Sequence, residues 1–129
     1  MHHFEDAKYG FRLQFDGYMN RNDMEAWFAD LQKQVGKMRG PFGAVIDLRG
    51  AVAFPAEAQE ILFKGIHYCL EQGMERNAVV VANAIAKIQA TRISKETGTA
   101  ANVRFIDAAS DPQWEQKAEA WVVHGTDPK

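Results

Sequence analysis

Asp47, Asn83 and Asp107 are the residues of this chain best placed by spacing to do chemistry. Each falls at or near the end of an apolar run that reads as a β-strand, at 43–49, 77–82 and 103–107. In open α/β sheets, ligands favour the crevice beyond the carboxyl ends of parallel strands. Arg49 and Lys87 stand close to these positions and add positive charge, so the set suits a small anion or a nucleotide phosphate. The same residues also have plainer duties. Asn83 can cap a helix, Asp47 can pair with Arg49, and polar groups at strand ends commonly satisfy loop backbone.

Covalent chemistry is harder to find. The histidines are His2, His3, His67 and His124, and none sits in a metal-binding spacing such as His-Glu-x-x-His. Neither Gly-x-Gly-x-x-Gly nor a Walker A pattern occurs. Cys69 falls on an apolar helical stripe, where a cysteine acts as a small hydrophobe. These residues argue for a protein that is not an enzyme and that uses neither a metal nor a cofactor. An acid–base role for Asp47 or Asp107 is the weakest of the readings.

The elements that must position these residues follow from periodicity. Phe11-Arg12-Leu13-Gln14-Phe15 alternates strictly, as a strand with one buried face does, and 4–8 suits a short antiparallel partner turning near Gly10. Asn22 and Glu25 have the spacing of a capping box, opening a helix with Met24, Trp27, Phe28, Leu31 and Val35 on one face. A buried strand at 43–49 leads through a turn to a helix opened by Pro55. Its stripe is Ala58, Ile61, Leu62, Gly65, Ile66, Cys69 and Leu70, and Gly73 suits a left-handed cap. Val79-Val80-Val81 lacks alternation, which marks a strand apolar on both faces inside a parallel sheet.

Asn83 caps a third helix carrying Ile85, Ile88 and Ile93, and 103–107 forms the last strand. Asp111-Pro112 then combines an N-cap with proline at the first helical position, before a helix buried through Trp114, Ala118, Trp121 and Val122. The alternation of strands and helices predicts one α/β domain spanning residues 1–129, with mostly parallel strands and right-handed crossovers.

Element order and spacing from about Phe11 to Trp121 resemble the SpoIIAA-like (STAS) domains, the family of anti-sigma-factor antagonists. Phe15-Asp16-Gly17-Tyr18-Met19 resembles the family's strand-ending glycine segment. Val45-Ile46-Asp47-Leu48 with the later Phe54 resembles its central strand, and Asn83-Ala84-Ile85-Ala86-Lys87-Ile88 resembles its turn into the third helix. The resemblance implies a SpoIIAA-like β-α superhelix, with a mostly parallel sheet of about four to five strands and about four helices. It also implies a regulatory module whose phosphorylatable serine lies at the start of the second helix. Here that segment is Pro55-Ala56-Glu57-Ala58-Gln59, and Ala58 stands where the phosphoacceptor is expected. An alanine methyl cannot take phosphate. Glu57 beside it could imitate the charged state, although a first-turn glutamate is explained by the helix dipole alone. The superhelix is shared with the lipid-binding CRAL-TRIO domains, so a small-molecule or lipid-binding domain is the alternative.

Phe63, His67 and Tyr68 lie off the main stripe of the second helix and leave aromatic area without an assigned neighbour. Together with Phe54, Pro55, Glu57 and Ala58 they form the expected partner-binding face, for a protein partner or a homodimer. A net charge of −2 gives no electrostatic footprint for nucleic acid. The longest apolar runs, such as 78–82, are far too short for a transmembrane segment. One cysteine and a polar, acidic start in place of a signal peptide fit a cytoplasmic location.

Overall fold

Phe11, Leu13 and Phe15 send their side chains to one face of a strand, and all three are buried in the core. That strand, β2 (Gly10–Gly17), follows β1 (His2–Ala7) and precedes α1 (Arg21–Gly36) and β3 (Phe42–Ala51). Next come α2 (Ala56–Glu71), β4 (Met74–Val81), α3 (Ala84–Glu96), β5 (Val103–Asp107) and α4 (Trp114–His124). The computed structural model describes residues 1–51, 55–96 and 98–128, with Gln89 and Ile93 described by backbone alone. Expectations placed on Phe54 and on the Ile93 side chain lie outside the described residues.

The five strands form one sheet in the order β1-β2-β3-β4-β5. β1 runs antiparallel to β2, while β2, β3, β4 and β5 are mutually parallel. Val79 to Val81 lie inside the sheet, between β3 and β5, as an all-apolar strand requires.

Two cores flank the sheet. Phe11, Leu13, Ala44, Ile46, Val79 and Phe105 face the larger one, which α1, α2 and α3 cover. Val45, Ala78, Val80 and Ile106 face the smaller one, closed by Ala118, Trp121 and Val122 of α4. Trp121 Nε1 donates to the carbonyl of Asn77 at 3.1 Å, tying α4 to the middle of the sheet. The helix lies against β3, β4 and β5, so this face of β1 and β2 stays polar, carrying His3, Glu5, Arg12 and Gln14.

Several boundaries differ from the sequence reading. The capping box of α1 is built from Asn20 and Asp23, not from Asn22 and Glu25. Asn20 Oδ1 accepts from Asp23 N–H at 2.9 Å, and Asp23 Oδ2 accepts from Asn20 N–H at 3.1 Å. Both pairs have the same spacing, and the earlier one lies where the chain leaves its extended conformation. Asp111 accepts from Gln113 N–H at 2.9 Å, but this closes a turn, and regular helix begins only at Trp114. Gly73 does hold a positive φ of 110° between α2 and β4.

Candidate functional site

β3 and β4 are adjacent and parallel, so the helices that follow them, α2 and α3, start at the same end of the sheet and cover the same face. Pro55 is the N-cap of α2, its carbonyl accepting from Ala58 N–H at 2.9 Å and Gln59 N–H at 3.0 Å. Glu57 is exposed in the first turn, and Pro55 is half-buried. Ala58 is 0% exposed, so its methyl faces the core and offers nothing to a partner.

The aromatic residues of α2 do have intramolecular neighbours, which corrects the expectation that they are surplus to the core. Tyr68 packs on Phe28 of α1 with ring centroids 5.7 Å apart, and Phe28 in turn meets Trp27 at 6.4 Å. Phe63 is half-buried against the larger core. A helix wheel assigns one stripe to α2, but this helix packs on both the sheet and α1, and the second contact takes the flank that Tyr68 occupies. His67 is exposed.

At the carboxyl edge, Asp47 is buried and clasped by Arg49. The Arg49 backbone N–H and Nε reach Oδ1 at 3.0 Å each, and a terminal guanidinium nitrogen reaches Oδ2 at 2.8 Å. Burial alone would raise the Asp47 pKa, but the hydrogen bonds and charge of Arg49, helped by Arg12, hold it below the usual carboxylate value. The Arg49 guanidinium also lies 4.2 Å over the ring of Trp114. Asn83 caps α3, its Oδ1 accepting from Ala86 N–H at 2.8 Å. Asp107 shapes the turn after β5, with Oδ1 accepting from Ala109 N–H at 2.9 Å and Oδ2 from the Ser110 hydroxyl at 3.0 Å.

Asp47 and Asp107 do not converge, and the idea of one cluster is corrected here. Asp47 shares strand parity with Val45 and points to the α4 face, whereas Asp107 shares parity with Phe105 and points to the opposite face. What the fold does bring together is Lys87 and Asp107, in a cavity of about 340 Å³ beside β5. Ser110, Asp111 and Lys117 complete its polar lining. Lys117 pairs with Asp111 at 2.7 Å and draws the Asp111 pKa below its ordinary value. Sequence reasoning missed these three residues as a site, because Asp111 had already been explained as a helix cap. Asp47 lines a separate cavity of about 260 Å³ on the open sheet face, with Arg12, Gln14 and Glu115.

The apolar surface lies elsewhere than expected. Ile85 and Ile88 project from the first turns of α3, each 69% exposed. That helix sits over the edge of the sheet and buries its face through small residues, Ala86 and Ala90. Among the described residues, no cluster of His, Cys, Asp or Glu could hold a metal ion, and no helix is long and apolar enough to cross a membrane. Burial pushes the Cys69 thiol up to about 12, so it stays protonated at neutral pH.

No protein-family model matches the sequence, and no curated protein matches it either. Among solved structures, the chain is similar to an uncharacterised protein of the DUF3478 family with a SpoIIAA-like fold, from Shewanella loihica PV-4. The two superpose with a TM-score of 0.66 at 17% identity, over 95% of this chain and 92% of the other. The mostly parallel five-stranded sheet and its four helices are therefore a SpoIIAA-like fold.

Proposed function

We propose that this domain is a non-catalytic interaction module that binds a protein partner through the starts of α2 and α3 and acts without a phosphorylation switch at α2. The observation that carries this reading is the exposed pair Ile85 and Ile88. Covering two large apolar side chains one turn apart stabilises a complex by roughly 25 cal/mol per Å² of apolar surface removed from water, before the cost of association. Exposed Glu57 opens α2 at the same end of the sheet as the start of α3, and in this reading it is the polar residue at the rim. The segment 55–59 contains no serine or threonine, so the partner would be held or released by some other control.

The test is native mass spectrometry of the protein purified from its own cells, beside an Ile85→Glu variant. A co-purifying protein subunit that the variant loses while keeping its thermal stability would support the module. A retained subunit would move the interface elsewhere.

A second reading, small-molecule binding, has one specific support in the cavity of about 340 Å³ holding Lys87, Ser110 and Lys117. A co-purifying small molecule lost on Lys87→Ala would favour it. A lipid bound between sheet and helices has less support, since the cavity between β2, β3, β4 and the helices α1 and α2 is about 10 Å³.

A further inference from the structure

The outer edge of the sheet is a second surface, independent of the one at α2 and α3. Among the described residues, β1 is the terminal strand and pairs only with β2. The Met1 amine donates to the Asp16 carbonyl at 2.9 Å, and Asp16 N–H donates to the Met1 carbonyl at 2.8 Å. This exchange fixes the phase of the ladder, because bonded and non-bonded pairs alternate along an antiparallel ribbon. His3 and Glu5 therefore direct their main-chain groups inward, to Gln14 and Arg12. His2, Phe4 and Asp6 direct theirs outward, where they meet no partner among the described residues. An edge of this kind is a template for another strand. Proline, lysine and bulges, which commonly blunt such edges, are absent from His2–Ala7.

We infer that β1 is a self-association edge, on which two copies of this chain pair β1 against β1, antiparallel about a two-fold axis at Phe4, to make one continuous sheet. The sequence of the strand is complementary to its own reverse. With Phe4 opposite the second Phe4, His3 falls opposite Glu5, while His2 and Asp6, whose side chains already bond to Asp30 and Gln34 of α1, fall opposite each other. The outward-facing residues are then the hydrogen-bonded positions, so each free N–H and C=O meets its counterpart. Both His3 and Glu5 are exposed on the polar half of the sheet face, where an imidazole and a carboxylate can meet across the axis. Sliding the strands so that the axis falls on a neighbouring odd position sets Glu5 against Glu5 or His3 against His3. Opposite groups thus select one register. Two short edge strands bury less than a stable interface needs, so the association is reversible and depends on concentration.

The register supplies its own test in the full-length chain. In the proposed pair His3 opposes Glu5 at a non-hydrogen-bonded position, with Cα atoms about 4.5 Å apart and within disulfide reach. Like positions lie diagonally, roughly 7–8 Å apart, which is too far. A mixture of His3→Cys and Glu5→Cys proteins under mild oxidation should yield about tenfold more cross-linked dimer than either variant alone. In sedimentation velocity, Glu5→Lys should lower the dimer fraction of the otherwise wild-type chain, and adding His3→Glu should restore it by exchanging the two partners. A wild type that stays monomeric at about millimolar concentration would overturn the inference and leave the edge to a foreign strand. Equal cross-linking in the mixture and the single variants would overturn the register.

Discussion

Gly65 of α2 lies directly against the indole of Trp27 from α1, so closely that a β-carbon at position 65 would collide with the ring. The absent side chain lets the two helices approach and lets Trp27 bury almost all of its surface. Gly65→Ala should therefore destabilise the protein by about 1–3 kcal/mol, because the overpacked seam must shift. This outcome is opposite in sign to helix propensity, which favours alanine over glycine by about 1 kcal/mol. Urea titration of the two proteins decides between packing and propensity.

The exposed and buried isoleucines give a second contrast. Ile66→Ala should cost about 2–5 kcal/mol, since Ile66 is buried in the larger core and its loss leaves a cavity. Ile88→Glu should change stability by no more than about 0.5 kcal/mol, because the side chain stands mostly in water. Equal losses in a denaturant titration would place Ile88 inside the fold.

Acid should act through Asp47. Its pKa in the folded protein is depressed, so its pairing stabilises the fold above the ordinary carboxylate value near ~3.9 and that stability is lost as pH falls through the lower folded value. Arg49→Ala leaves the buried carboxylate with the backbone N–H of residue 49 but without the guanidinium, and should cost about 1–2 kcal/mol at neutral pH. The gap from wild type should narrow as pH falls through the carboxylate range, because burial without the Arg49 guanidinium favours the protonated form of Asp47 in the variant. The wild type loses its pairing only at lower pH. Thermal melts across pH would show this, and a gap that widens in acid would contradict it.

Cys69 should be inert while the protein is folded. With its thiol pKa raised to about 12 by burial, iodoacetamide at pH 8 should label it only after denaturant is added. Intact-mass measurement before and after unfolding reads the difference.

Much of the fold was legible because local pattern and tertiary role agree. The alternation of Phe11 to Phe15 and the unbroken Val79 to Val81 are the two burial regimes of sheet strands, and each took its expected place. The candidate site was less legible, because it depends on which way neighbouring strands face. Parity within one strand is visible in sequence, but the phase between β3 and β5 is set by register, and register sends Asp47 and Asp107 to opposite faces. Helix faces failed for a related reason. Tyr68 is covered by Phe28 from α1, whereas Ile85 and Ile88 are uncovered because α3 overhangs the sheet edge. A wheel drawn for one helix contains neither neighbour.

The order of strands in space is the order in the chain, from β1 to β5. No strand has to be threaded between two that are already joined. During synthesis each new strand therefore meets a finished neighbour as it leaves the ribosome, and the domain can grow outward from its amino-terminal hairpin. The exception is α4, which returns across β3, β4 and β5 and closes the second core. Until Trp121 arrives, the apolar surface of Val45, Ala78 and Val80 has no cover. The nascent chain is most exposed to aggregation and to chaperones in that interval, just before its last helix is complete.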